Sequence, residues 1–156
     1  MEWGVSETVS ALLRQHRASA SGPMDTIARC YQRIRAYDDP AVFITLRKED
    51  GAIADAKELA EGSARDLPLY GIPVAVKDNI DVAGMPTTAA CPAYAYRAGK
   101  DATVVARLKS AGAIIIGKTN LDQFATGLVG VRSPYGVPRN PFNPALIPGG
   151  SSSGSA

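Results

Sequence analysis

The sequence predicts an α/β protein in which parallel strands alternate with a helix. Residues 72–76 and 113–116 are short apolar runs rich in β-branched side chains, which are typical of buried strands. Between them, Ala102, Val105 and Leu108 recur at helical spacing. This order of strand, helix and strand predicts two parallel strands joined by a right-handed crossover, with helices covering both faces of the sheet.

The first 66 residues are predicted to form helical scaffolding and contain no recognisable catalytic motif. Apolar residues recur at helical spacing over residues 5–18 and again from residue 23 to residue 37, where Pro23 suits a first helical position. A short strand is predicted at 42–46. The turn Glu49-Asp50-Gly51 then leads into a third helix at 52–61. We therefore separate an N-terminal helical segment, residues 1–66, from the beginning of a core domain, residues 67–156.

The core segment predicts a long loop, one helix and a loop-rich end. Residues 78–100 form the loop, and loops of that length in a compact domain are usually functional. Asp101 is predicted to cap the helix that follows and that ends near Gly112. Residues 120–125 predict one or two helical turns, and residues 127–148 are rich in glycine and proline.

Composition and charge exclude several classes of protein. A net charge of +2, with basic residues scattered along the chain, argues against a nucleic-acid partner. No apolar run approaches the length needed to span a membrane. Cys30 and Cys91 form no CxxC pair, which together with an N-terminus unlike a signal peptide favours a reduced, cytoplasmic setting.

The sequence gives little support for a metal site or for a catalytic site that uses histidine. No cluster of histidine, cysteine and carboxylate residues has the spacing of metal ligands, and we expect no metal or other cofactor. His16 is the only histidine, so a Ser-His-Asp device would have to use it. Because it lies in a helical pattern far from any candidate nucleophile, we expect His16 at the surface.

One segment fits the letters of a nucleotide-binding motif but not the local structure that the motif requires. The segment from Gly112 to Thr119 satisfies the P-loop pattern, in which four residues between the glycines form an open loop around phosphates. Here these four residues are Ala-Ile-Ile-Ile, the most strand-like run in the chain. A P-loop follows such a strand and is not made of it, so we reject this match.

Lys77 directly follows the strand predicted at 72–76 and precedes an Asp-Asn-Ile-Asp turn. Partial burial at a strand end lowers a lysine pKa, and a lysine of lowered pKa can accept a proton at neutral pH. The alternative is a structural lysine whose ammonium group reaches water. The terminal run of glycine and serine, residues 149–156, also has two interpretations. It is either a flexible linker or an ordered segment anchored by Ile147-Pro148.

Five segments in a fixed order give the chain a specific resemblance. After Leu67 it resembles the amidase signature family over nearly all of its length. The segments are Gly71-Ile72-Pro73-Val74-Ala75-Val76-Lys77-Asp78-Asn79, Gly84 to Thr88, Asp101 to Gly112, Ile116-Gly117-Lys118-Thr119-Asn120-Leu121-Asp122 and Pro148-Gly149-Gly150-Ser151-Ser152. The resemblance implies a mixed, partly parallel β-sheet flanked by helices, incomplete here, with helices at the N-terminus.

The resemblance also implies a catalytic triad of lysine, a serine joined by a cis peptide bond, and a nucleophilic serine. The lysine falls on Lys77 and the cis-serine on Ser151, with Ser152 as the alternative assignment. The cis bond would then join Gly150 to Ser151. The family's nucleophile lies further along the chain than Ala156, so we expect this sequence to be an inactive N-terminal fragment of an amidase that acts on linear amides.

The segment from residue 126 to residue 136 resembles allophanate hydrolases, which release ammonia and carbon dioxide from allophanate. We expect Ala125, Thr126 and Gly127 to line the substrate pocket and Arg132 either to pair with a substrate carboxylate or to serve the loop. Alternatives are a glutamine-hydrolysing A subunit of a tRNA amidotransferase, another small-amide amidase, or a non-catalytic interaction module. The family often dimerises through its N-terminal helices, so we expect a homodimer, with a small amide as the only other partner.

Overall fold

Helices and strands alternate along the chain in the computed structural model, which describes residues 7–62 and 65–156. Two 3₁₀ segments, Pro92–Tyr94 and Gln123–Ala125, lie in its loops. In chain order the other elements are α1 (Val9–Arg17), α2 (Pro23–Tyr37), β1 (Phe43–Leu46), α3 (Glu49–Glu61), β2 (Pro73–Lys77), β3 (Pro86–Thr87), β4 (Tyr96–Arg97), α4 (Thr103–Ser110) and β5 (Ile114–Thr119).

The main sheet has three strands in the order β1-β5-β2 and is mixed, as predicted. Strands β2 and β5 are parallel, with Lys77 opposite Thr119 at their carboxyl ends. Strand β1 is antiparallel to β5. The strand-like Ile114–Thr119 confirms that the literal P-loop match is not a phosphate-binding loop.

Helices cover both faces of this sheet, as the unbroken apolar strands predict. On one face, α2 and α3 pack against β5, with Ile27, Tyr31, Ala52, Ala56, Ile114 and Ile116 forming the buried cluster. On the other face, Val105 of α4 packs against Ile115 of β5 and Val76 of β2. Because β5 is buried on both faces, it fixes the position of its neighbour β2 and therefore of Lys77.

Several predicted boundaries need correction. The start of the first helix at Val5 lies outside the described residues, and the described helix begins at Val9. Helix α3 begins at Glu49 and not at residue 52, because carboxylates are favourable in the first turn of a helix. The predicted loop 78–100 contains a two-stranded hairpin, in which β3 pairs antiparallel with β4.

The predicted cap at Asp101 is wrong. Helix α4 begins at Thr103, and the residue before it, Ala102, makes no capping hydrogen bond through its side chain. The Asp101 carboxylate instead accepts a hydrogen bond of 2.7 Å from the backbone N–H of Ala83 and forms an ion pair of 2.8 Å with Lys109. Asp101 therefore ties the loop after β2 to helix α4.

The predicted surface position of His16 is also wrong. Its ring is buried, with Nδ1 2.9 Å from the carbonyl oxygen of Tyr70 and Nε2 2.8 Å from Thr26 Oγ1. A carbonyl oxygen only accepts hydrogen bonds, so Nδ1 carries the proton in this contact. Helical spacing alone does not reveal that polar partners from α2 and from the approach to β2 lie against the inner face of α1.

No helix among residues 7–62 and 65–156 has the length and apolar character required to cross a membrane. Two clusters of buried apolar residues flank the sheet.

We predict that His16→Leu lowers the free energy of unfolding by about 1–3 kcal/mol, because it leaves the buried Tyr70 carbonyl without a donor. Urea denaturation followed by circular dichroism measures the change. Arg17→Leu, at an exposed position on the same helix, is the matched control and is expected to change stability by less than about 0.5 kcal/mol. Equal effects of the two substitutions would contradict the structural importance of His16.

Candidate active site

Lys77 and Ser151 meet at the carboxyl end of β2. The Lys77 Nζ atom lies 2.7 Å from Ser151 Oγ, within hydrogen-bonding distance, and both residues are half-buried. The peptide bond between Gly150 and Ser151 is cis, as the resemblance implied. The hydrogen bond joins Lys77 to Ser151 and not to the alternative, Ser152.

Two opposing influences act on the Lys77 amine. Burial lowers the pKa of Lys77 below its ordinary value, and the negative charge of Asp122 acts in the opposite direction with a smaller effect. The net direction favours the neutral amine, which has a lone pair that can accept a proton.

A buried ion pair fixes the end of β2 beside this amine. Asp78, the residue after Lys77, is fully buried, and its Oδ1 lies 3.2 Å from Nζ of the equally buried Lys118. Its Oδ2 accepts hydrogen bonds from the backbone N–H and the hydroxyl of Thr88, at 2.9 and 2.5 Å. The backbone N–H of Asp78 also donates to the carbonyl of Thr119 at 3.0 Å. The strand end is therefore held from both its backbone and its side chain.

Lys118 extends this network into the hairpin of β3 and β4. Its Nζ donates to the Pro86 carbonyl at 3.1 Å and to Thr87 Oγ1 at 3.0 Å. The Thr87 hydroxyl and the Tyr96 hydroxyl each donate to Asp81 Oδ1 at 2.8 Å. These hydrogen bonds, that of Tyr96 first, lower the pKa of Asp81. The lysine of the false P-loop match thus has a structural set of partners.

Ser151 is held by its backbone. The N–H of Asp122 donates to the Ser151 carbonyl oxygen at 2.8 Å. A Cβ atom on Gly150 would lie 2.4 Å from the Gly130 nitrogen and 2.5 Å from Asp122 Oδ2, distances that no side chain tolerates. Glycine is required before Ser151 because two other segments pack directly against it.

The glycine- and serine-rich terminus is packed against the sheet, so the linker interpretation is wrong for these residues. Ser153 is 2% exposed, and the Gly154 N–H donates to the Asn120 carbonyl at 3.0 Å. The hydroxyls of Ser155 and Thr119 lie 3.0 Å apart. These contacts place the run beside the end of β5. Ser151 therefore lies near the end of the neighbouring strand β2.

The predicted substrate-lining residues follow a distorted turn. Residues 120–125 form no α-helix, and Gln123–Ala125 is a 3₁₀ segment in which Phe124 and Ala125 have φ of 50° and 57°. The Phe124 N–H donates to the carbonyl of Ala89 at 2.9 Å, which ties the turn to the loop after β2. Ala125 is half-buried, Thr126 is exposed and Gly127 is buried.

Arg132 enters the site through its backbone. Its N–H donates to Asp122 Oδ1 at 2.8 Å, and its carbonyl accepts a hydrogen bond of 2.7 Å from the Gln123 N–H. The residue as a whole is exposed, which leaves the guanidinium group in solvent.

Sequence reasoning missed Asp122, the residue that contacts most of these segments. It lies in one of the family-like segments, but nothing in its local pattern distinguishes it from a surface aspartate. Its role depends on contacts with Gly130, Arg132 and Ser151, which lie 8 to 29 residues away in sequence.

The described residues around Lys77 and Ser151 include no metal site. Within the described ranges, 7–62 and 65–156, no group of three or more histidine, cysteine or acidic residues is placed to hold a metal ion. A cavity of about 490 Å³ lies near the start of β5, where Ile114 and Ile115 line it, and its lining includes neither Lys77 nor Ser151.

A profile of the family described as Amidase matches residues 25–156. Urea amidolyase of Lachancea kluyveri is 58% identical over 122 residues, which are 78% of this chain and 7% of that protein. The A subunit of the glutamyl-tRNA(Gln) amidotransferase of Symbiobacterium thermophilum is 52% identical over 125 residues, which are 76% of this chain and 25% of the relative.

Solved structures give the same result. A serine-to-alanine variant of allophanate hydrolase from Kluyveromyces lactis superimposes with a TM-score of 0.82 at 45% identity, over 99% of this chain and 26% of the other. The chain thus spans about a quarter or less of the length of these three proteins. Because the family profile covers most of its residues, the chain belongs to the Amidase family.

Proposed function

We propose that this chain supplies the lysine and the cis-serine of a Ser-cisSer-Lys amide hydrolase. The observation that supports this most directly is the 2.7 Å hydrogen bond between Lys77 Nζ and Ser151 Oγ, beside a strand end that a buried ion pair immobilises. A lysine in contact with a hydroxyl, and partly shielded from water, can act as the base that other hydrolases obtain from histidine.

In the proposed reaction, neutral Lys77 accepts the hydroxyl proton of Ser151 while Ser151 takes the proton of a second, nucleophilic serine. That serine attacks the amide carbonyl and forms a tetrahedral intermediate. The proton returns along the same route to the leaving nitrogen, and ammonia departs as the acyl-enzyme forms. Water then hydrolyses the acyl-enzyme by the same proton transfers and frees the serine.

We assign the nucleophile to a serine that is not in this sequence. Ser153 Oγ is buried without a hydrogen-bond partner among the described residues, and Ser155 is hydrogen-bonded to Thr119, so neither suits that role. The matched relatives are also several times longer than this chain. We therefore propose that these 156 residues alone are inactive and that the reaction requires a serine from outside them.

For the substrate we propose allophanate, as a step of urea degradation. The similarity to urea amidolyase and allophanate hydrolase supports this choice. Arg132 is the residue we propose to pair with the substrate carboxylate, because its guanidinium is exposed while its backbone is anchored in the site.

A second candidate is glutamine hydrolysis of the kind carried out for a tRNA amidotransferase, which the 52% identity to the A subunit of such an enzyme supports. In either case we propose a cytoplasmic protein that acts as a homodimer on a small amide.

We predict that Lys77→Ala in the full-length protein lowers kcat/KM for amide hydrolysis by about 10³-fold or more, because the proton acceptor is lost. Ammonia release measures the rate. Lys57→Ala, at an exposed lysine of α3, is the control and should retain the rate of the unsubstituted enzyme. Retention of amide hydrolysis by the Lys77 variant would refute the proposed function.

The pH dependence follows from the lowered pKa of Lys77. The ammonium form cannot accept a proton, so kcat/KM should be low in acid and rise as the pH passes through the pKa of Lys77. That midpoint should lie below the ordinary lysine value of 10.5. Initial rates at constant ionic strength give the profile, and an NMR titration of Lys77 gives an independent midpoint. Different midpoints in the two measurements would show that another group controls the acid limb.

The substrate assignment predicts faster ammonia release from allophanate than from glutamine, by about 10²-fold or more in kcat/KM. Arg132→Gln should raise KM for allophanate by about 10- to 100-fold, since a charge-assisted hydrogen bond is lost while the backbone N–H to Asp122 remains. Arg17→Gln, on α1, should leave KM unchanged. A preference for glutamine would instead support the amidotransferase assignment.

A further inference from the structure

Asp122 is a fully buried acid whose two carboxylate oxygens are both occupied by one loop. Its Oδ2 accepts a hydrogen bond of 2.9 Å from the N–H of Gly130, and its Oδ1 accepts one of 2.8 Å from the N–H of Arg132. Two oxygens facing two donors are a geometry that only a carboxylate satisfies. This side chain therefore fixes the backbone of residues 130–132.

The backbone of the same residue holds two further segments. Its N–H donates to the Ser151 carbonyl at 2.8 Å, and its carbonyl accepts a hydrogen bond of 2.8 Å from the Ala125 N–H. Asp122 is thus bonded both to the candidate proton-relay serine and to the candidate substrate-lining segment.

Two glycines leave room for this carboxylate and nothing more. A Cβ atom on Gly127 would lie 2.2 Å from Asp122 Cγ, and one on Gly150 would lie 2.5 Å from Asp122 Oδ2. The glycines therefore enclose the carboxylate from two sides. This enclosure excludes water from the acid and makes its position depend on both loops.

The charges around Lys77 divide into two groups. Asp78, next to it on the chain, pairs with Lys118 from β5, so these opposite charges largely cancel. The carboxylate of Asp122 has no cationic side chain within ion-pairing distance among residues 7–62 and 65–156, and its charge acts on the Lys77 amine. Near Lys77, the Asp78–Lys118 ion pair is neutral overall, so the negative charge that acts on the Lys77 amine is that of Asp122.

We propose that Asp122 is a positioning residue, which holds Ser151 and the loop of residues 125–132 in register with Lys77 and whose negative charge acts on the Lys77 amine. The proposal rests on the proposed function for its catalytic meaning, but its structural content stands on the contacts described above.

The kinetic test is Asp122→Asn in the full-length protein. An asparagine side chain of nearly the same shape presents one NH₂ group to a backbone N–H, so one of the two hydrogen bonds is lost. We expect kcat to fall by about 10- to 100-fold as the relay is misplaced. We also expect the acid limb of the pH profile to move to lower pH, because the charge that raises the pKa of Lys77 is gone. A purely structural role would lower the rate without moving the acid limb.

A second readout needs no turnover. In the 156-residue chain labelled with ¹³Cε-lysine, the NMR titration midpoint of Lys77 should move to lower pH in Asp122→Asn, because the negative charge of Asp122 raises the pKa of Lys77. Asp101→Asn is the matched control, since Asp101 also accepts a backbone N–H but binds Lys109 and not the site. An unchanged Lys77 midpoint in the Asp122 variant would overturn the proposal, even if the proposed hydrolysis is confirmed.

If circular dichroism shows that Asp122→Asn is unfolded, the unsubstituted chain decides the question. The Gly130 and Arg132 amides should exchange with solvent at least about 10²-fold more slowly than those of the exposed Leu128 and Val129. Equal exchange rates would overturn the proposal. Slow exchange of both amides would support it, whatever the full-length enzyme hydrolyses.

Discussion

The candidate site is centred on one hydrogen bond, which joins Lys77 Nζ at the end of β2 to Ser151 Oγ, 74 residues further along the chain. This hydrogen bond requires the backbone at both Lys77 and Ser151 to be held in a fixed position. Strand β5 supplies that constraint, because it is buried on both faces and pairs in parallel with the strand that carries Lys77. The residue after β5, Asn120, accepts a hydrogen bond from Gly154, three residues beyond Ser151. Helices α2 and α3 contribute to this constraint by packing on β5.

The buried Asp78–Lys118 pair is better understood as a source of geometric definition than of net stability. Removing two charges from water costs several kcal/mol per ion, and their mutual attraction often does no more than offset this. What the pair does provide is a set of directional contacts, since Lys118 also reaches Pro86 and Thr87 while Asp78 reaches Thr88. These contacts draw the hairpin of β3 and β4 toward the strand end and limit the positions that Lys77 can take.

Local sequence patterns predicted the fold well wherever one chain segment decides the outcome. Helix α2 has the predicted bounds, because its proline start and helical apolar spacing are local signals. Lys77 was placed at a strand end for the same reason, and family resemblance added Ser151. His16, Asp101 and Asp122 were misjudged or overlooked, because each is defined by partners distant in sequence: Tyr70, Ala83 and Gly130. A buried polar residue looks like a surface one until its partners are known.

The same reasoning explains why one lysine and not the other suits proton transfer. Lys77 and Lys118 lie near the carboxyl ends of adjacent parallel strands, and each is followed by a polar residue, so local sequence hardly separates them. Their partners do. Lys118 is committed to a carboxylate, a carbonyl and a threonine hydroxyl, which leave its amine no free direction. Among residues 7–62 and 65–156, the side-chain partner of Lys77 is the Ser151 hydroxyl, and burial disfavours the charged form of Lys77. An amine with one hydroxyl neighbour can exchange a proton with that hydroxyl. An amine enclosed by hydrogen-bond acceptors, such as that of Lys118, keeps its protons.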